Sequence, residues 1–159
     1  MITILLLLSL TFPPPAHANE LLSVDVNTMK NYVSAVAYAE GVDKHLALAI
    51  VETESKWNPN LNGDSGSSYG LFQIKCMAAK EVGFTGKCPS LLAYKTNILY
   101  GVKYLKMMVN KHGIKGGVAA YNAGRPIRLN GKYMNQRYVN TTMGHYYAFK
   151  KESKVKKKA

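Results

Sequence analysis

The spacing of the apolar residues is the feature that most limits how this chain can fold. Apolar residues recur at every third or fourth position, first at Val26, Met29, Val33 and Val36 and later along residues 92–109. This spacing places them on one face of an α-helix, and no alternation typical of a β-strand extends beyond a few residues. The sequence therefore predicts an all-α fold. Its 159 residues, 47% of them apolar, are enough to bury one hydrophobic core.

Glycines and capping residues set the expected limits of the helices. Gly41 and Gly113 are typical of helix ends, and Asp43 is a suitable N-cap. Residues 57–69 are rich in Asn, Gly, Asp and Ser, which predicts a loop or a small β-hairpin. The expected helices cover residues 26–41, 43–55, 89–113, 118–121 and 135–149.

The N-terminus predicts export from the cytoplasm. Residues 2–12 are mostly apolar, but they are far fewer than the roughly 18 needed to span a bilayer. Three prolines and then Ala16-His17-Ala18 follow, and the last three form an A-x-A cleavage signal. We therefore expect residues 1–18 to be a signal peptide, with an uncleaved anchor as the alternative. The protein is accordingly expected to be periplasmic or secreted.

Positive charge dominates the surface. Lys and Arg number 21 against nine Asp and Glu, which gives a formal net charge of +12. Such a charge favours polyanionic surroundings, such as nucleic acid, anionic lipid or cell wall, without selecting among them. Residues 150–159 contain six lysines and one glutamate, which predicts a basic disordered tail after a domain at 19–149. The tail is either simply mobile or attaches to anionic wall polymer or a membrane surface.

Cys76 and Cys88 are the only cysteines in the chain. In an oxidising compartment they predict a disulfide, worth about 3 kcal/mol by loop-closure entropy, and two buried free thiols are the alternative. No histidine lies near either cysteine, and the four histidines lack ligand spacing. No metal site and no cofactor are therefore predicted.

A glutamate near the end of the second helix is the strongest candidate for catalysis. Glu54 extends the apolar arc of that helix, whereas Glu52 points the other way and is expected to be solvated. Desolvation and the negative end of the helix dipole both disfavour the ionised form, which predicts a raised pKa. A carboxylic acid that keeps its proton near neutral pH suits a general acid acting on a glycosidic oxygen. A partly exposed charge paired with a neighbouring lysine is the alternative interpretation.

Four short motifs in one order resemble those of the family 1 lytic transglycosylases, lysozyme-like enzymes that cleave bacterial cell-wall glycan. The motifs are Glu54-Ser55 followed by Pro59, Gly70-Leu71-Phe72-Gln73-Ile74, Ala120-Tyr121-Asn122-Ala123-Gly124, and Tyr138-Val139. The resemblance extends over about residues 28–148. It implies a mostly α-helical, lysozyme-like single domain with a substrate groove between lobes.

By this resemblance Glu54 is the single acid/base. It would protonate the oxygen between N-acetylmuramic acid and N-acetylglucosamine, and then accept the proton of the muramic C6 hydroxyl as that oxygen closes on C1. The product is a 1,6-anhydro sugar, and no water is consumed. Because the attacking group already belongs to the substrate, a second protein carboxylate is dispensable.

Residues of the same motifs are expected to support the acid and bind glycan. Tyr138 is expected to donate a hydrogen bond to Glu54, and Gln73 to offer its amide to sugar groups. Gly70 would let the backbone approach the glycan closely. The other expected supporting residues are Ser55, Leu71, Tyr121 and Asn122.

Two other functions remain open from the sequence. A hydrolytic muramidase usually needs a second carboxyl about 5–9.5 Å from the first. Asp64 is the only other acid in the loop that follows Glu54, and an Asx-turn is its alternative role. In the corresponding stretch of c-type lysozymes an Asp stands just before Tyr-Gly. Here Ser68 takes that place, which favours the transglycosylase. The third function is a non-catalytic cationic cell-wall-binding protein.

The resemblance also implies partners. Peptidoglycan glycan strands are the expected substrate, and the protein is expected to be a monomer. Small relatives of this kind accompany wall-spanning secretion systems, conjugation machinery or phage, so a recruiting assembly is a further expectation.

Overall fold

A computed structural model describes residues 24–156, so the expected signal peptide at 1–18 lies outside the described residues. Within that range the chain forms five α-helices: α1 (Val26–Glu40), α2 (Lys44–Glu54), α3 (Cys76–Glu81), α4 (Tyr94–Ala123) and α5 (Gln136–Lys156). The strands are β1 (Asn62–Gly63), β2 (Ser68–Tyr69), β3 (Ile74–Lys75), β4 (Arg128–Leu129) and β5 (Lys132–Tyr133). Short 3₁₀ helices lie at Asp64–Gly66 and Cys88–Leu92.

The first two helices begin and end where the sequence predicts. Gly41 ends α1 in the left-handed conformation (φ 71°), and its N–H donates to the carbonyl oxygens of Ala37 and Tyr38. The Asp43 carboxylate then accepts the His45 backbone N–H at 2.9 Å, which caps α2. Residues 46–51 of α2 are all buried, and this helix packs against α1 and α5. The central position of α2 fixes where its last residue, Glu54, points.

The long helix α4 is interrupted at one residue. Gly113 has φ 68° and ψ 177°, so the helical conformation breaks there and resumes immediately after it. Gly113, which was predicted to end a helix, therefore interrupts α4 without ending it. The predicted helix at 118–121 is the second part of α4, which ends at Gly124 (φ 75°). This second part returns the chain to the neighbourhood of Glu54.

Two small antiparallel sheets complete the domain. β1, β2 and β3 are adjacent in that order, with Asn62 opposite Tyr69 and Tyr69 opposite Ile74. The predicted hairpin in the first half is thus confirmed, as is the mostly helical single domain. The second hairpin, β4–β5, was not predicted, although its turn at Asn130-Gly131 is a strong hairpin signal.

The prediction of a disordered tail from residue 150 is wrong for residues 150–156, which continue α5. Lys150 Nζ donates to Tyr146 Oη at 3.1 Å and lies 3.6 Å from the Asp43 carboxylate. Ser153 Oγ donates to the carbonyl oxygen of Lys150. Lysines in the last turns also complement the negative end of the helix dipole. Residues 157–159 lie outside the described range.

The predicted disulfide is confirmed. Cys76 and Cys88 are bonded, with their Cα atoms 5.4 Å apart, and the bond joins the start of α3 to the 3₁₀ helix before α4. Over residues 24–156, no helix combines the length and apolar character needed to cross a membrane.

Candidate active site

A cavity of about 500 Å³ lies where α2, the first sheet and the second part of α4 meet. Its lining side chains include both a buried aromatic wall and exposed polar groups. The lining residues are Glu54, Asp64, Ser68, Gln73, Ile74, Lys75, Ala78, Tyr104, Tyr121, Asn122, Ala123 and Gly124.

Glu54 is the last residue of α2 and presents its carboxyl to this cavity. Tyr138 Oη, from α5, donates to Glu54 Oε1 at 2.6 Å. Burial raises the pKa of Glu54 from an ordinary value of 4.5 to about 7, while the Tyr138 hydrogen bond lowers it and the Asp64 charge raises it. Burial therefore outweighs the stabilising hydrogen bond, and the carboxyl can both hold and release a proton near neutral pH.

The residues beside Glu54 are bonded elsewhere. Ser55 is buried, and its Oγ donates to the carbonyl oxygen of Val51 at 3.2 Å, so it completes its own helix rather than touching the Glu54 carboxyl. The Glu52 carboxylate accepts the Trp57 Nε1–H at 2.6 Å and is outside the cavity. Glu52 is thus partly buried and hydrogen-bonded, not freely solvated as predicted.

Gly70 makes room for a side chain of the protein. It has φ 63°, and a Cβ added there would lie 2.7 Å from Asn97 Nδ2. The face of Gly70 on which a Cβ would lie is therefore filled by Asn97, and the expected close approach of its backbone to glycan stays a prediction. Leu71 is fully buried in the core and is not among the residues that line the cavity, so the structure places it behind the site and not at its surface.

Asn97 is a supporting residue that the sequence analysis missed. It is fully buried on α4, and its Oδ1 accepts the Phe72 backbone N–H at 2.8 Å. Its Nδ2 donates to the carbonyl oxygens of Tyr69 at 2.6 Å and Leu91 at 2.8 Å. A lone Asn among the apolar residues of the α4 face was the available signal. These bonds hold the glycine-containing motif against the long helix.

Gln73 lines the cavity, but its amide nitrogen is already occupied. Nε2 donates to the carbonyl oxygens of Leu61 and Gly70, each at 2.9 Å. Its Oε1 lies so close to Gly63 that a Cβ there would be 2.2 Å away. Gln73 therefore closes the loop that precedes it, which leaves less of its amide available to sugar than expected.

Tyr121 and Asn122 form the opposite wall. Tyr121 Oη donates to the carbonyl oxygen of Phe72 at 2.8 Å, and burial raises the pKa of this hydroxyl well above its usual range. Asn122 is exposed to the cavity, and its Oδ1 accepts from Asn135 Nδ2 at 2.9 Å. Asn135 also donates to Ala119 O and was not found from the sequence. The Tyr121 ring is thus fixed, and the Asn122 side chain is held by one bond.

Asp64 shares the cavity with Glu54 but has a different environment. Its Oδ2 accepts from Ser68 Oγ at 2.9 Å and lies 3.1 Å from Lys75 Nζ. These contacts lower its pKa, so it is a stable anion where Glu54 keeps a proton. Lys75 was also missed by sequence reasoning. Among residues 24–156, Glu54 and Asp64 are the two carboxylates that line this cavity.

Residues 31–143 match the transglycosylase SLT domain family. The chain belongs to this family. The SLT match includes Glu54, the glycine-containing motif and Tyr138. No protein with a curated function matches the sequence significantly.

Three matching solved structures share this lysozyme-like SLT fold, as predicted, and are of larger proteins. An inactive mutant of the lytic transglycosylase Slt from Pseudomonas aeruginosa matches with a TM-score of 0.67 and 18% identity, over 79% of this chain and 24% of that one. The 70 kDa soluble lytic transglycosylase from Escherichia coli matches with a TM-score of 0.54 and 26% identity, over 74% of this chain and 18% of that one. A complex of the 70 kDa soluble lytic transglycosylase with bulgecin A matches at 25% identity and a TM-score of 0.54. The SLT domain described here spans about a quarter or less of these proteins.

Proposed function

We propose that this protein is a peptidoglycan lytic transglycosylase that cleaves the β-1,4 bond between N-acetylmuramic acid and N-acetylglucosamine and forms 1,6-anhydro-N-acetylmuramic acid. The observation that supports it most is the Glu54 carboxyl, which faces the cavity with a pKa of about 7 and is held by Tyr138. Membership of the SLT family supports the same reaction class.

In the first step Glu54 gives its proton to the bridging oxygen as the bond from muramic C1 to that oxygen breaks. A carboxyl with a pKa near 7 retains a useful protonated fraction at neutral pH and still becomes a base after transfer. The Tyr138 hydroxyl stabilises the carboxylate that results, because it already donates to Oε1. The acetamido group of the substrate supports the positive charge at C1.

In the second step the muramic C6 oxygen forms a bond to C1, and Glu54 takes the proton from that hydroxyl. Glu54 ends as it began, protonated, and no water enters the product. The attack is intramolecular, so the entropy of bringing nucleophile and C1 together is met within the sugar. The reaction therefore needs one protein carboxyl.

The cavity walls favour a polar, ring-shaped ligand. Tyr104 and Tyr121 lie edge to face, 5.4 Å between ring centroids, and give a rigid wall beside Glu54. Asn135 donates to the Asn122 amide oxygen, so the Asn122 amide nitrogen can donate to an acceptor on the ligand, such as an acetamido oxygen. Asn122 is accordingly our choice for a glycan contact.

Hydrolysis by the same site is the second candidate, because Asp64 lines the cavity. A second carboxylate would have to orient water or stabilise the sugar cation. One oxygen of the Asp64 carboxylate, Oδ2, is instead engaged by both Ser68 and Lys75, and the side chain is 60% exposed. These contacts favour the single-carboxyl reaction.

Product analysis separates the candidates. Purified sacculi are digested with the wild-type protein, and the released muropeptides are analysed by mass spectrometry. Anhydro ends support the proposal, reducing ends that have gained water support a muramidase, and no soluble release supports a cationic wall-binding protein. Glu54→Gln is expected to abolish release while sacculus binding remains.

Glu52, two residues before Glu54 on α2, provides a matched control. Glu52→Gln changes a carboxylate on the same helix that faces Trp57 and not the cavity. Its digestion products and rate are expected to equal those of the wild type. Equal losses in both variants would show that the helix, and not the Glu54 carboxyl, had been affected.

Export and association remain proposals that follow from the sequence. We propose that residues 1–18 direct export to the periplasm or medium, that the protein acts as a monomer, and that a wall-spanning secretion or conjugation assembly recruits it. Cell fractionation and light scattering test the first two.

A further inference from the structure

Helix α5 has two differently used faces. Tyr138, Thr142 and Tyr146 follow one another at intervals of four residues and face α2, where their hydroxyls bond to Glu54, Thr53 and Asp43. A second line of side chains, also spaced by three or four residues, lies elsewhere on the same helix. It consists of Asn140, Met143, Tyr147, Lys151 and Lys154.

The second face borders a groove. Two adjoining cavities of about 590 and 270 Å³ lie between α5 and Ile114–Lys115 of α4, and they share Lys115, Met143 and Tyr147. Together they reach from Gln136 to Lys154. At 1.5 Å per residue this is about 27 Å along the helix. We call this surface the α5 groove.

The floor of the α5 groove is apolar and its rim is basic. Met143 is nearly buried, whereas Tyr147 is 57% and Ile114 is 42% exposed. Lys115, Lys151 and Lys154 stand around them, and no carboxylate in residues 24–156 lies within 4.0 Å of their ammonium groups. The groove therefore offers contact area to an apolar side chain and unpaired charge to an acidic one.

A glycine in the middle of α5 leaves open space beside the groove. Gly144 borders the smaller cavity, and a Cβ added there would meet nothing within 4 Å. Glycine inside a helix costs about 1 kcal/mol relative to alanine, and no contact within the described protein requires it. Because Gly144 has no side chain, another backbone can lie closer to α5 at this point than it could beside any other residue.

We propose that the α5 groove binds an acidic amphipathic helix of a partner protein. The line of side chains at intervals of three and four residues fits a helix laid along α5, with apolar residues on Met143 and Tyr147 and acidic residues between the lysines. A flat bilayer does not enter a concave groove, and an anionic polymer has no apolar face for its floor. Both are alternatives that the experiment below separates from a helix.

Binding there leaves the cleavage site open. Tyr147 follows Tyr138 by nine residues, which is about 13 Å along α5 and half a turn around it. The partner would thus hold the protein from the side of α5 opposite to Glu54. This inference is independent of the proposed reaction.

The test uses a fluorescent synthetic peptide of three heptads with Leu at positions a and d and Glu at e and g. Its binding to the full-length exported chain is measured by fluorescence anisotropy at 50 and 150 mM salt. Lys115→Glu, Lys151→Glu and Lys154→Glu combined are expected to weaken binding at least about tenfold, because three favourable charge contacts become repulsive. Gly144→Gln is expected to weaken it by filling the groove.

A triple variant of equal charge change provides the control. Lys44, Lys87 and Lys132 are exposed and border neither cavity of the groove, so their combined change to Glu is expected to alter peptide binding less than about twofold. Both triple variants are expected to unfold cooperatively in urea, as the wild type does, and this readout does not depend on the proposed reaction. That readout shows that the fold is intact.

Four results would overturn the proposal. One is no peptide binding by the wild type, and another is an equal loss of binding in both triple variants. The third is that the groove variant keeps peptide binding but loses adsorption to phosphatidylglycerol vesicles or to poly(glycerol phosphate). The fourth is that a control peptide with the same composition in scrambled order binds less than about tenfold more weakly than the heptad peptide.

Discussion

The reactivity of Glu54 depends on the groups around its carboxyl. Its pKa of about 7 is the net result of burial, which raises it most, of the Tyr138 hydrogen bond, which lowers it, and of the Asp64 charge, which raises it. A general acid loses activity as the pH rises through its pKa. The alkaline limb of the pH–rate profile is therefore expected near pH 7. Substitution of Tyr138 or Asp64 is expected to shift it.

Tyr138→Phe is expected to move the alkaline limb to higher pH. The variant loses the hydrogen bond that lowers the pKa of Glu54, so the acid keeps its proton longer as the pH rises. The rate at the optimum should fall about 10- to 100-fold because the carboxyl is no longer held in place. The measurement is kcat/KM on soluble glycan strands from pH 5 to 9. A limb that moves to lower pH would contradict this role of Tyr138.

Asp64→Asn is expected to move the same limb the other way. Without the Asp64 charge the ionised form of Glu54 is less disfavoured, and its pKa falls. Because the proposed reaction uses one carboxyl, we expect activity to stay within about tenfold of the wild type, against the 100-fold or greater loss typical of removing an acid/base group. Complete loss of activity in Asp64→Asn, together with reducing ends in the products of the wild type, would instead identify Asp64 as a second catalytic carboxylate.

At this scale the sequence located the residues whose chemistry is unusual and missed those that hold them. Glu54 and Tyr138 stand in short motifs with chemically distinctive side chains, and they do meet in the structure. Asn97 is 25 residues away from the Phe72 N–H that it accepts, so no local pattern relates the two. The role of Gly70 could not be predicted for the same reason, because the side chain that fills the space beside it belongs to the distant Asn97.

Among the secondary-structure elements, Asn97 joins α4 to β2 and to the 3₁₀ helix at Cys88–Leu92. Asn97→Ala is expected to lower the free energy of unfolding by about 3 kcal/mol, because a buried amide and three hydrogen bonds are lost and their backbone partners stay unsatisfied. Urea unfolding measures it. Asn110→Ala, at an exposed position of α4, is the matched control and should change stability by less than about 0.5 kcal/mol. Equal effects of the two would contradict the role of Asn97.

Helix limits could be predicted where a single residue enforces them. Gly41 and Gly124 both adopt positive φ at helix ends, and Gly113 breaks α4 in the same way. The composition of residues 150–156 indicated solvation, but it contained no information on Tyr146 and Asp43, which bind Lys150 and prolong α5. Charge density alone was therefore a poor guide to where the helix ends.

For the molecule as a whole, the unusual pKa of Glu54 predicts a dependence of stability on pH. A carboxyl whose folded pKa of about 7 exceeds its ordinary 4.5 stabilises the fold fully below 4.5, and this contribution is lost as the pH rises through 7. Glu54→Gln keeps the shape without the charge. It is expected to be more stable than the wild type by about 2–3 kcal/mol at pH 8 and equal to it at pH 4. Denaturant unfolding at both pH values measures the difference, and equal stabilities at pH 8 would contradict it.

The whole molecule also separates its two proposed tasks along one helix. The N-terminal half of α5 supplies the Tyr138 hydroxyl that donates to Glu54, and its C-terminal half forms the basic end of the α5 groove. Catalysis and attachment are thus expected to respond independently to mutation.

The proton held by Glu54 is the central claim, and NMR tests it directly. Protein labelled with ¹³C at the glutamate side-chain carboxyl is titrated from pH 3 to 9, and the Glu54 resonance is assigned by its absence from Glu54→Gln. This resonance is expected to titrate near pH 7. A midpoint near the ordinary 4.5 would mean that the carboxyl is ionised at neutral pH and would contradict its role as the acid.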